Sequence, residues 1–241
     1  MFRVLGVGGY KDSGKTEVVV GLVRELVRRG YRVGTVKHLS RHPTIDREGT
    51  DTWRHAEAGS EVVVAVSGEE VAVRERRKKP ELEEVLLSLR GLDFVILEGF
   101  KGEEVVKVKV ARSEEEAREL DDEFTAAFVG KGVKGKPVFP LRAPGALADL
   151  VEERAATPTG GLDCGECGFG SCREFLVAAA SGKKGSRKCA ALEGGVELRV
   201  DGKKVAMNPF VRKIVSKTVL GMVSSLRGGR GKEVELRVRR E

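Results

Sequence analysis

The chain opens on a short apolar run, residues 2–8, closed by glycines, and this pattern predicts a buried strand. Over residues 16–29 the apolar side chains Val19, Val20, Leu22, Val23, Leu26 and Val27 recur at helical spacing, and Gly30 predicts the stop. Residues 31–37 read as a second strand and residues 38–55 as a polar loop. Residues 61–66 and 71–73 are strand-like, and Pro80 suits the first position of a helix whose apolar rhythm runs over 82–89. Residues 93–98 set four apolar side chains between two acids, a further buried strand. Residues 105–110 alternate weakly, 126–129 and 137–141 read as short strands, and 144–153 as a closing helix. Strands alternating with helices at this spacing predict an α/β fold with a mostly parallel sheet covered on both faces.

The pattern changes beyond residues 157–161, whose Thr, Pro and Gly read as a linker. Residues 196–200 and 203–207 flank Asp201-Gly202, a hairpin signal. Asn208-Pro209 turns the chain into a helix with Phe210, Val211, Ile214, Val215, Val219, Met222, Val223 and Leu226 on its apolar side. Val234, Leu236 and Val238 then alternate with charged residues, as in a half-buried strand. The expected organisation is an α/β domain over 1–155, a linker over 156–163 and a small α+β metal-binding subdomain over 164–241.

Charge sharpens the division. Residues 164–241 hold 17 Lys and Arg against 8 Asp and Glu, leaving 27 against 29 upstream. The two parts are therefore expected to meet different partners. No run of 18 apolar residues occurs, and the apolar start is too short for a signal peptide. A cytoplasmic protein with no membrane association is the expectation. The chain has no Gln and a single Asn, Asn208, while Lys, Arg and Glu abound, a bias that fits a thermophile.

Gly9-Tyr10-Lys11-Asp12-Ser13-Gly14-Lys15-Thr16 completes the pattern G-x-x-x-x-G-K-[ST], between a predicted strand and a predicted helix. In that setting backbone N–H groups curl around phosphate oxygens and the helix points its positive end at them. Lys15 would reach the outer phosphates and the Thr16 hydroxyl would ligate Mg²⁺. A second metal-holding acid is expected at the end of a neighbouring strand, and Glu98, followed by Gly99-Phe100-Lys101, supplies it. Lys15 and Glu98 are thus the candidate catalytic residues. His38, Asp46, Gly49, Asp51, Arg54 and His55 lie on the polar loop, a candidate switch or substrate loop. His42 is there too, but the histidine spacing matches no standard metal site. The guanine-reading pattern N-K-x-D cannot occur, because Pro209 follows the only Asn.

Three stretches together resemble the molybdopterin-guanine dinucleotide biosynthesis protein B (MobB) family: residues 9–16; Val36-Lys37-His38 with Asp46, Gly49, Asp51, Arg54 and His55; and residues 95–101. The resemblance covers about 1–155. It implies GTP binding with weak Mg²⁺-dependent hydrolysis, and an accessory role beside the enzyme that attaches GMP to molybdopterin. By position it implies phosphate and Mg²⁺ roles for Lys15 and Thr16, a metal role for Glu98, and a place near nucleotide or pterin for the 46–55 loop. Glu17 departs from the pattern, since the family often has a hydroxyl residue there.

All four cysteines fall between residues 164 and 189, and in a reducing compartment such clustering points to metal. Cys164-x2-Cys167-x4-Cys172-x16-Cys189, with Gly165, Gly168, Gly170 and Phe175 between them, resembles the four-cysteine [4Fe-4S] module of redox and corrinoid proteins. Zinc stands as the alternative. A redox-gated electron-transfer module and a metallochaperone GTPase are the competing functions. The expected partners are GTP and molybdopterin or its GMP-transferring enzyme, with a homodimer open and no nucleic acid.

Overall fold

The computed structural model describes residues 2–39, 46–77, 82–89, 91–159, 161–183, 185, 188–191, 196–201, 203–229 and 234–238. Two compact units result, Met1–Val36 with Gly91–Glu241, and Lys37–Arg90.

Chain order is β1 (Arg3–Gly9), α1 (Lys15–Arg28), β2 (Val33–Lys37), α2 (Asp51–Glu57), β3 (Val62–Val66), β4 (Val71–Glu75), α3 (Leu82–Ser88), β5 (Phe94–Glu98), β6 (Lys107–Ala111), α4 (Glu114–Leu120), β7 (Thr125–Gly130), β8 (Val138–Phe139), α5 (Pro144–Arg154), α6 (Cys172–Ala180), β9 (Leu198–Val200), β10 (Lys203–Val205) and α7 (Pro209–Ser224). Among the described residues, six strands form one sheet in the order β2-β5-β1-β6-β7-β8. Strands β5, β1, β6, β7 and β8 run parallel. The predicted α/β class with a mostly parallel sheet is the one observed.

The core explains the short apolar runs. Leu5 and Val7 of β1 and Phe94 and Ile96 of β5 are buried against Val18, Leu22 and Leu26 of α1. Phe175, Leu176, Ala179 and Ala180 of α6 enter the same core. The helix after the third cysteine therefore packs with the phosphate-loop sheet. The stretch expected as a linker begins tied down: Ala156 bridges Val4, whose N–H donates to its carbonyl at 2.8 Å, and Thr157 is 1% exposed. The Thr157 hydroxyl accepts from the N–H of Cys189 at 2.8 Å, so a residue read as turn-forming satisfies a buried donor.

Several expectations require correction. Residues 51–55, expected at the end of a polar loop, instead lie in α2, whose N-cap Thr50 accepts from the N–H of Trp53. Helix α4 was not foreseen, although Ser113 with Glu116 forms a capping pair in which the Glu116 N–H donates to Ser113 Oγ at 3.1 Å. The hairpin β9–β10 and helix α7 lie where the pattern placed them. The apolar side of α7 is not covered among the described residues, with Phe210 68% and Met222 65% exposed. Residues 234–238 form no strand, and Val238 is 78% exposed, because no strand among the described residues receives the alternating side chains. Pro80 and His42 lie outside the described residues. No helix among the described residues is long and apolar enough to cross a membrane.

Candidate functional site

The turn between β1 and α1 is shaped by positions that reject ordinary side chains. A Cβ on Gly9 would stand 2.6 Å from the Val110 carbonyl and 2.7 Å from Ser13 Oγ, so the cradle closes only around glycine. Gly14, the N-cap of α1, has φ 93°, and Asp12 has φ 57°, both left-handed. Ser13 is 8% exposed, and its hydroxyl has no hydrogen-bond partner among the described residues. A buried unpaired hydroxyl is costly, so its occurrence inside a glycine-closed turn at a helix N-terminus fits an anion binding there.

The Lys15 ammonium donates to the Tyr10 carbonyl across the loop. The Thr16 hydroxyl donates to Glu98 Oε1 at 3.1 Å, and Glu98 is 8% exposed at the carboxyl end of β5. The register Val7↔Glu98 sets this acid beside the strand that feeds the loop. Glu17 is exposed on the first turn of α1, where the helix dipole favours an acid. Tyr10 donates its hydroxyl to Glu119 Oε2 at 2.6 Å, which raises the phenol above its ordinary value, and Lys101 lies over its ring at 5.0 Å.

On the other face of the sheet lies a feature that the sequence pattern hid. Lys107 and Lys109 of β6 are each 4% exposed and pair with Gly6 and Gly8 of β1. A Cβ on Gly8 would stand 3.1 Å from Cδ of Lys109. Both ammonium groups donate to Asp122 Oδ2, at 3.3 and 3.1 Å, and Lys107 also donates to the Lys101 carbonyl at 3.1 Å. Burial lowers the Lys109 pKa against the opposing pull of Asp122. Burial alone would raise Asp122, but Lys109 and the Thr125 hydroxyl outweigh it and hold the carboxyl below its ordinary value.

The loop residues belong to the second unit. Asp46 Oδ1 accepts from the Arg47 N–H at 2.9 Å and the Thr50 hydroxyl at 3.1 Å, and Arg74 stands 3.8 Å from Oδ2. The Thr52 hydroxyl is the main cause of its lowered pKa, with Thr50, Arg47 and Arg74 assisting against burial. Gly49 takes φ 88°, and Asp51 and Arg54 pair at 3.8 Å on the exposed side of α2, where His55 is also exposed. His38 is exposed after β2.

The four cysteines are free thiols; Cys189 is buried and the other three are partly exposed. Gly165 and Gly168 turn left-handed between them, and the Cys172 N–H donates to Asp163 Oδ1 at 2.6 Å. Among the described residues no three His, Cys, Asp or Glu side chains converge as a metal site. The fit to a cluster is therefore one of donor chemistry, four unpaired thiols amid left-handed glycine turns, without a gathered geometry.

Strand, glycine turn, helix and a facing acid on the adjacent parallel strand define a P-loop NTPase fold. The family model "Molybdopterin guanine dinucleotide synthesis protein B" (MobB) matches residues 4–131, and a second, "Putative Fe-S cluster", matches residues 161–191. The chain belongs to the MobB family. It is 33% identical over 234 residues to the "Putative molybdopterin-guanine dinucleotide biosynthesis adapter protein" of Methanocaldococcus jannaschii, covering 94% of this chain and 92% of that one. It is 39% identical over 114 residues to the molybdopterin-guanine dinucleotide biosynthesis adapter protein of Haemophilus influenzae, covering 46% and 64% respectively. The crystal structure of a MobB protein homolog from Bacillus stearothermophilus superposes with TM-score 0.50 at 31% identity, covering 63% of this chain and 99% of that one. The archaeal relative thus spans both the phosphate-loop and the cysteine parts.

Proposed function

We propose that this chain is a GTP-binding adapter in molybdopterin guanine dinucleotide biosynthesis, acting beside the enzyme that attaches GMP to molybdopterin. The observation that carries the nucleotide reading is the buried, unpartnered Ser13 hydroxyl inside a turn that only glycine can close. Backbone N–H groups over residues 9–16 would wrap the phosphates, with the Ser13 hydroxyl as one more donor. Lys15 would leave the Tyr10 carbonyl for the outer phosphates. Thr16 and Glu98 would hold Mg²⁺, which when bound neutralises phosphate charge. Weak Mg²⁺-dependent hydrolysis, with Lys15 and Glu98 as its residues, is the activity assigned to the site. In the second unit, His38, Asp46 and Gly49, with Asp51, Arg54 and His55 of α2, make up the segment assigned to nucleotide or pterin partner. Cys164, Cys167, Cys172 and Cys189 are assigned a [4Fe-4S] cluster, supported by the family match over residues 161–191.

The adapter role is tested by co-purification. Tagged chain should retain the GMP-transferring enzyme in the presence of Mg²⁺ and GTP, and the Lys15→Ala variant should retain less. Equal retention by both, with or without GTP, would separate the adapter role from the nucleotide. Iron and sulfide in equal amounts after anaerobic purification support the cluster, and zinc alone contradicts it.

A further inference from the structure

We propose that Arg173 is a positioning residue that ties the cysteine segment to the connection behind the phosphate site, so that emptying the cysteines weakens nucleotide binding. The nucleotide half of this statement rests on the GTP-binding reading above.

Arg173 follows Cys172 in the first turn of α6. Its guanidinium donates through one terminal nitrogen to Glu104 and through the other to Glu123, and it lies 5.1 Å over the Phe124 ring. Glu104 lies between β5 and β6, and Glu123 between α4 and β7. One side chain thereby gathers three segments. The Phe124 ring also receives the buried Lys107 ammonium at 5.4 Å, and Lys107 donates to the Lys101 carbonyl at 3.1 Å. Lys101 stands three residues beyond Glu98 and lies over the ring of Tyr10 in the phosphate loop. Contacts therefore run without a gap from the residue beside a cysteine to the loop that would hold phosphate.

Exposure decides what these contacts do. Arg173, Glu104 and Glu123 are 54%, 51% and 44% exposed, so the ion pairs contribute little to global stability. Their effect is orientation, since a planar fork meets two carboxylates and an aromatic face at once, which a lysine cannot do. Withdrawing the guanidinium leaves two neighbouring carboxylates to repel each other, and the connection carrying Glu104 is released. The rest of α6 cannot follow, because Phe175, Leu176 and Ala179 are fixed in the core. Ligation at Cys172 would pin only the first turn, which is the part that carries Arg173.

The test compares the full chain as isolated anaerobically, its metal content measured, with the same protein emptied by oxidation and chelation. Hydrogen exchange over residues 99–106 and the affinity for Mg²⁺ and GTP are read in both states. In the wild type, emptying should raise exchange over 99–106 and weaken affinity on the order of 5-fold. Arg173→Ala and Arg173→Lys should show the released exchange and the weaker affinity in both states. The double variant Glu104→Gln, Glu123→Gln should reproduce them without touching α6. Exchange unaltered by emptying the wild type, or an Arg173→Ala protein that responds as the wild type does, overturns the proposal. If exchange responds as expected but no GTP binds in either state, the nucleotide reading fails and the role of Arg173 in holding the connection stands.

Discussion

The Thr16 hydroxyl donates to Glu98 Oε1 at 3.1 Å, joining the first turn of α1 to the carboxyl end of β5. Both residues are assigned to one metal ion, and the structure already holds them within a hydrogen bond of each other. Glu98→Gln keeps the shape and removes the charge. A charge-assisted interaction of about 1.5–3 kcal/mol is lost, so Mg²⁺-dependent GTP affinity should fall roughly 10- to 150-fold while metal-free binding persists. Calorimetric titration with and without Mg²⁺ reads this, and an unchanged Mg²⁺ dependence would remove Glu98 from the metal site.

Gly9→Ala should cost more than a solvent-exposed alanine substitution. The new Cβ meets the Val110 carbonyl at 2.6 Å, and that backbone atom belongs to a central strand that cannot yield freely. Overpacking of this kind destabilises by about 1–3 kcal/mol, and the cradle should open with it. Chemical denaturation and nucleotide titration on the same variant check both parts.

Asp122→Asn should strip the buried Lys107 and Lys109 of the carboxylate that both ammonium groups meet, a loss on the order of 3 kcal/mol at neutral pH. Its pH dependence follows from the sign of the shift. The folded-state pKa of Asp122 is depressed, so its contribution is complete above the unfolded carboxylate value near ~4 and is lost as pH falls through the lower folded value. Wild-type stability should therefore drop on that acidic limb, and the Asn variant should show a shallower drop. Parallel curves for the two proteins below pH ~4 would contradict the assignment.

Phe175→Ala tests whether the cysteine helix belongs to the phosphate-loop core. Phe175 is 1% exposed and packs edge-to-face with Phe169 at 5.8 Å. The truncation should cost about 3–5 kcal/mol and lower the transition that also melts the β1–α1 region. If calorimetry resolves an unshifted transition for residues 1–155, the two parts fold separately.

The phosphate loop, Glu98, the parallel sheet and the β9–β10 hairpin were legible because each depends on local chemistry: glycine turns, a strand-ending acid, apolar runs and Asp201-Gly202. Lys107 and Lys109 were not, because alternation of Lys with Val over 105–110 reads as a strand with lysines in solvent. Their burial requires Asp122, more than ten residues away, and two glycines on β1, neither visible in the run itself. Arg173 was hidden for the same reason, since Glu104 and Glu123 reach it only through the fold. Helix α4 carried a readable signal in Ser113-Glu114-Glu115-Glu116 and could have been found. Residues 234–238 show the opposite failure, an alternating pattern that no strand among the described residues completes.

Nucleotide binding is the central claim, and titration calorimetry of wild type and Lys15→Ala with GTP and Mg²⁺ tests it most directly. A contact from Lys15 to phosphate would be charge-assisted and worth about 1.5–3 kcal/mol per bond, and in the loop its ammonium donates to the Tyr10 carbonyl. The wild type should bind GTP in a single saturable phase, and Lys15→Ala, with an unchanged circular dichroism spectrum and melting temperature, should bind at least about tenfold more weakly. Equal affinity in the two folded proteins would contradict the phosphate-loop assignment.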